Sequence, residues 1–119
     1  MKIKNINLDP YISNKNPVLE KILTSLFDSI ETITQGKYTI EPKASSLHIV
    51  AKSAFLGIHF LNDFIRINVV LNRRLDENKI YKVEQVSKSR FHNEINLKDN
   101  EDINEDLKAY IKEAYQLKA

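Results

Sequence analysis

SLHIVAKSAFLGIHFLNDFIRINVVLN, residues 46–72, decides the fold. Apolar and polar side chains alternate through three runs, and Lys52-Ser53 and Asn62-Asp63 separate them. Asn-Asp tolerates the positive φ that a two-residue hairpin turn requires. With that turn, Leu61 faces Phe64, Phe60 faces Ile65, Ile58 faces Ile67 and Leu56 faces Val69. With Lys52-Ser53 as the preceding turn, Ala51 faces Ala54, Ile49 faces Leu56 and Leu47 faces Ile58. Side chains alternate faces along a strand, so Leu47, Ile49, Ala51, Leu56, Ile58, Phe60, Ile65, Ile67, Val69 and Leu71 share one face. A one-residue slip would turn the whole set towards water, which specifies the register.

Helices flank this block. Asn16-Pro17 supplies a cap followed by proline at a first helical position. Val18, Leu19, Ile22, Leu23, Leu26, Ile30 and Ile33 then recur at helical spacing. Gly36 ends this helix, predicted over 17–34, in the left-handed role. Residues 37–42 read as a short extended piece in which Pro42 excludes a central strand. Beyond a charged loop at 73–79, residues 80–86 form an irregular strand. Residues 90–97 alternate again, with Phe91, Ile95 and Leu97 on one side. Asn93 falls at a core position, which places this strand near an edge. Asp102, with Glu105 three residues on, has capping-box spacing for a last helix. Its inward stripe is Leu107, Tyr110, Ile111, Ala114 and Leu117. The order predicts an α+β fold: an antiparallel β-meander covered on one face by N-terminal and C-terminal helices, in two layers. Residues 1–15 are a polar lead and 16–119 a single domain.

Length and composition bound the function. The chain has 119 residues, enough for one domain with one core. There is no cysteine, hence no disulfide and no thiolate chemistry, which suits a cytoplasmic location. No apolar run approaches the length of a membrane span, and no apolar signal segment follows the basic start. Net charge is +2, too small to imply nucleic acid. Residues 37–97 carry ten Lys or Arg against six Asp or Glu, while 98–119 carry four against six. This is the pattern of a sheet domain with an acidic helix start.

The register also lays out the opposite face. Val50, Phe55 and Val70 fall in one row, His48, Gly57 and Asn68 in the next, and His59 faces Arg66. Glycine removes a side chain between His48 and Asn68, so that row forms a shallow recess. His48, Gly57, His59, Arg66, Asn68 and His92 are the candidate ligand-binding residues, in a binding or accessory domain that recognises a partner on this face. The plainer alternative is a solvated polar sheet face. The apolar row Val50, Phe55 and Val70 fits a homodimer contact equally well. His92 and Glu94 share a face at i and i+2, the geometry of a small acid–base enzyme. Three histidines without an HxH or HExxH spacing indicate no metal site, and nothing in the chain asks for a cofactor. A nucleic-acid-associated role would draw on Arg66, Arg73, Arg74, Lys79, Lys82, Lys88 and Arg90, with Phe55 as the one outer-face aromatic beside them.

Three stretches carry a resemblance: Phe64 to Asn72 (FIRINVVLN), Arg90 to Leu97 (RFHNEINL) and Glu101 to Tyr115 (EDINEDLKAYIKEAY). Together they resemble an uncharacterised bacterial and archaeal domain family whose members carry the label "predicted transport protein". The likeness spans roughly residues 18–116. It implies a compact strand-rich domain closed by a C-terminal helix ending in an Ala-Tyr pair, here Ala114-Tyr115. Such domains also occur fused to nuclease-like domains, which implies an accessory role. The resemblance carries no site residue with it.

Overall fold

The computed structural model describes residues 1–76 and 78–118. Two short strands, β1 (Lys2–Ile3) and β2 (Ile6–Asn7), form a ribbon that leads into a short helix, α1 (Asp9–Ile12). The long helix α2 (Val18–Thr34) follows, then β3 (Thr39–Pro42), β4 (Ser46–Val50), β5 (Ala54–Phe60), β6 (Ile65–Leu71), β7 (Ile80–Ser87) and β8 (Arg90–Leu97). A 3-10 turn at Asn100–Asp102 precedes the last helix, α3 (Glu105–Lys118). The fold is α+β, with a six-stranded antiparallel sheet in the order β3-β4-β5-β6-β8-β7.

The lead is tied to the domain. Leu8 is fully buried in the core, and Tyr11 stacks on Phe60 with ring centroids 5.0 Å apart. The Lys4 ammonium donates to the carbonyls of Gly36 at 2.6 Å and Tyr38 at 2.7 Å. A cation there complements the negative end of the α2 dipole.

Helix α2 starts as its sequence requires: Asn16 Oδ1 accepts from the Val18 N–H at 3.0 Å. At its other end the first left-handed residue is Gln35, φ 54°, with Gly36 at φ 77° after it. The last helix departs from the capping-box reading. Asn104, not Asp102, caps α3 by accepting from the Leu107 N–H at 2.9 Å. Asp102 instead turns back and accepts from the N–H of Lys98 at 2.7 Å, closing the 3-10 turn. Leu107, Ile111 and Ala114 are buried as the stripe predicts, but Leu117 is 44% exposed. Tyr115 packs in its stead, edge-on to Phe55 at 5.4 Å.

The central register is the one derived from parity. Leu47 pairs with Ile58, Ile49 with Leu56, Leu56 with Val69, Ile58 with Ile67 and Phe60 with Ile65. Leu47, Ile49, Leu56, Ile58, Ile65, Ile67, Val69 and Leu71 join Leu19, Ile22, Leu23, Leu26 and Ile30 of α2 in one buried cluster.

The register fails at one end of the β4–β5 hairpin. Val50, rather than Ala51, pairs with Ala54, and the ladder shifts between Ile49 and Val50. An extra residue in one strand puts two successive side chains on the same side. Phe55 therefore joins Leu56 in the core, fully buried against Tyr115. The expected row of Val50, Phe55 and Val70 does not form. Helix α3 accounts for the change. Its Lys118 carbonyl accepts from the Lys52 N–H at 2.7 Å, drawing the turn to the helix end and bringing Phe55 beneath Tyr115.

The meander also breaks at its last pair. Strand β8 inserts beside β6, and β7 lies outside it as the edge strand. Burial follows the order: Ile95 and Leu97 of β8 are buried, whereas β7 has no buried residue. Strand β8 is next to the edge, as Asn93 indicated, while Asn93 itself is fully buried. Its Oδ1 accepts from the Leu75 N–H at 2.8 Å, and its Nδ2 donates to the carbonyls of Arg73 at 3.2 Å and Val69 at 3.4 Å. The side chain thus fastens the chain that leaves β6.

Candidate functional site

The face turned away from the helices is built by three neighbouring rows. Glu41, His48, Gly57, Asn68, Glu94 and Lys82 lie opposite one another in a line across all six strands. Ser46, His59, Arg66 and Asn96 form the row on one side. Val70, His92 and Glu84 form the row on the other. The structure thus brings His48, Gly57, His59, Arg66, Asn68 and His92 to one surface, the first five in the register parity gave them and His92 through the pairing of β8 with β6.

Their surroundings differ. Arg66 is already engaged: its Nε donates to Asn96 Oδ1 at 2.8 Å, and its guanidinium lies 3.8 Å from the centre of the Tyr81 ring. Tyr81 stands where the β7–β8 ladder shifts register, and no local pattern signals this stack. His59 is exposed. Gly57 has no positive φ, and a Cβ there would meet Asn68 Cβ at 3.5 Å and His59 Nε2 at 4.0 Å. Those are ordinary contacts, so neither backbone geometry nor crowding demands glycine. Gly57 is itself buried with Asn68 and His59 packed beside it, so the recess expected between His48 and Asn68 is not an open one.

Asn68 Oδ1, Arg90 Nε and His92 Nε2 are shielded from solvent and have no hydrogen-bond partner among the described residues. Asn68 and His92 face outward on the adjacent strands β6 and β8, and Arg90 has the same parity as His92 on β8. Native proteins pair almost all of their buried polar atoms, so three on one face is a chemical signal. His92 is also held below the usual imidazole range, first by burial and then by Arg90, with a smaller contribution from His48. Glu84 and Glu94 act in the opposite direction without cancelling it. His48 and His92 lie on strands separated by β5 and β6. Neutral imidazole offers one donor and one acceptor.

A cavity of about 410 Å³ lies elsewhere, between the start of α3 and the inner side of β7 and β8. Ile80, Ile95 and Leu107 line it, with Asp76, Lys79, Asp102 and Asp106. Neither His92 nor Glu94 reaches it. The acidic start of the last helix was legible in the sequence, but not the opening beneath it. Among the described residues no group of three His, Cys, Asp or Glu side chains is placed to hold a metal ion.

The basic residues are dispersed. Arg73 makes a two-pronged pair with Glu113, both N···O distances 2.9 Å, and this holds the Glu113 carboxyl below its usual range. Arg66 is occupied by Asn96 and Tyr81.

The model of one protein family, described as "Domain of unknown function (DUF5655)", matches residues 8–118. No curated protein and no solved structure matches the chain.

Proposed function

Given that the chain belongs to the DUF5655 family, whose description names no activity, we propose that it is a binding or accessory domain that recognises its partner or ligand on the outer sheet face. The observation that carries this reading is the set of unpaired, solvent-shielded polar atoms on Asn68, Arg90 and His92. A face that only met solvent would keep such atoms wet or pair them internally. His48, Gly57 and His59 border the same ground, and Arg66, fixed by Asn96 and Tyr81, gives it a rigid flank. The accessory role agrees with the fused context that the family resemblance implies. The described helices include none long and apolar enough to cross a membrane. A cytosolic location belongs to the same reading, on the strength of a sequence without cysteine.

The test is a fragment screen followed by amide NMR, using mixtures of neutral, anionic and cationic small molecules. Signals of residues 48, 57, 59, 66, 68, 90 and 92 should move together for at least one fragment. Shifts confined to the cavity of Asp76, Asp102 and Asp106, with the sheet face silent, would overturn the assignment.

A further inference from the structure

We propose that the cavity between the start of α3 and the inner side of β7 and β8 binds a small organic cation, a charged nitrogen carried on an apolar stem. The inference goes beyond the outer-face reading and does not depend on it, since the two sites lie on opposite sides of the sheet.

The cavity has the room. Its volume is about 410 Å³, which falls in the range of small-molecule sites. Its floor is apolar: Ile80 and Ile95 face each other across β7 and β8, and Leu107 meets them from α3. Covering such a floor removes apolar surface from water, which favours a ligand with an apolar stem. Tyr110 adds an aromatic ring to the lining, and ring faces attract cations.

The charge around that floor is negative. Asp76 comes from the chain after β6, and Asp102 and Asp106 from the turn and helix after β8. Lys79 is the one cation among the described lining residues. Asp102 Oδ2 already accepts from the Lys98 N–H at 2.7 Å. The carboxylates of Asp76 and Asp106 make no ion pair or hydrogen bond among the described residues. A wider count agrees. Residues 76–80 and 95–110, which contain every lining residue, carry seven Asp or Glu and three Lys, in a chain of net charge +2. Of those lysines, Lys108 is paired with Glu105 at 3.5 Å, and Lys98 lines an adjoining cavity of about 320 Å³. The positive end of the α3 dipole amounts to about half a charge, and Glu105 and Asp106 in the same turn outweigh it. A field of this sign draws cations and repels anions. The cation is not a metal ion, because among the described residues no three His, Cys, Asp or Glu side chains gather to hold one. An organic cation uses both the dispersed carboxylates and the apolar floor.

A free amine and the lysine side chain of a partner protein share this chemistry. Benzylamine and Nα-acetyl-lysine N-methylamide stand for the two sources, with benzyl alcohol and benzoate as neutral and anionic counterparts. Each is titrated into the full chain and followed by amide NMR. At least one of the two cations should shift Ile80, Ile95, Asp102 and Leu107 in a saturable way, and the tighter one names the source. Benzyl alcohol and benzoate should bind there about tenfold more weakly or not at all. Asp76→Asn combined with Asp106→Asn alters two exposed side chains and should weaken the cation by about fivefold or more. Benzyl alcohol or benzoate binding as tightly as the cations would overturn the inference. So would undiminished binding to the double variant, folded by its NMR spectrum, or cavity signals that neither cation moves. Shifts on the outer face without any at the cavity would remove this inference and leave the outer-face reading standing. Shifts at the cavity with a silent outer face would do the reverse.

Discussion

At the scale of single residues, His92 shows most directly how placement sets chemistry. Burial, Arg90 and His48 all disfavour its charged form. The folded protein therefore binds that proton less readily than the unfolded chain does. The stability linked to neutral His92 is present above the ordinary imidazole value of 6.5 and is lost as pH falls through the interval below it. An NMR pH titration should find the His92 midpoint below that value, and Arg90→Gln should raise it. A midpoint at or above the ordinary value would mean that the ring is open to water. Asn93 teaches the complementary lesson. A polar residue at a core position placed β8 near an edge, and β8 does stand next to the edge strand; three hydrogen bonds, one to Val69 within β6 and two to Arg73 and Leu75 beyond it, satisfy Asn93 in full burial. Those partners lie 18 to 24 residues away in sequence, and no local pattern reveals them.

Elements differ in how far their own sequence controls them. Strands β4, β5 and β6 pair as the alternation of their side chains demands, because any slip exposes a whole face. The turn at 51–53 has weaker chemistry of its own, so a tertiary contact decided it. Lys118 accepts from the Lys52 N–H, and the ladder carries a bulge beside it. Phe55 tests this account. On an outer face, Phe55→Ala would cost little; in the core beneath Tyr115 it should destabilise the protein by about 3–5 kcal/mol, read from urea denaturation. A cost near zero would return Phe55 to the surface and restore the apolar row with Val50 and Val70. Strand β7 shows the same division. Its irregular pattern was visible in the sequence, but its place outside β8 was decided only when the sheet assembled.

For the molecule as a whole, one apolar sheet face closed by α2 and α3 holds the domain together. Ile58 and Ile67 sit opposite each other at its centre, both fully buried. A chain of this size keeps only about 5–15 kcal/mol of net stability. A carboxylate at that point would be buried without a partner, so Ile67→Asp should leave no folded population by circular dichroism and one-dimensional NMR. A folded variant would mean that the core lies on the other face. By itself the sequence determined the α+β class, the long first helix, the pairing of the three central strands and the six candidate residues on the outer face. It could do so because a period of two leaves each strand residue only two directions to point. Only the tertiary structure decided the turned Phe55, the inserted β8, the caps of the last helix and the unpaired atoms of Asn68, Arg90 and His92. Each of those depends on which distant group meets a given side chain, and that is settled when the layers close.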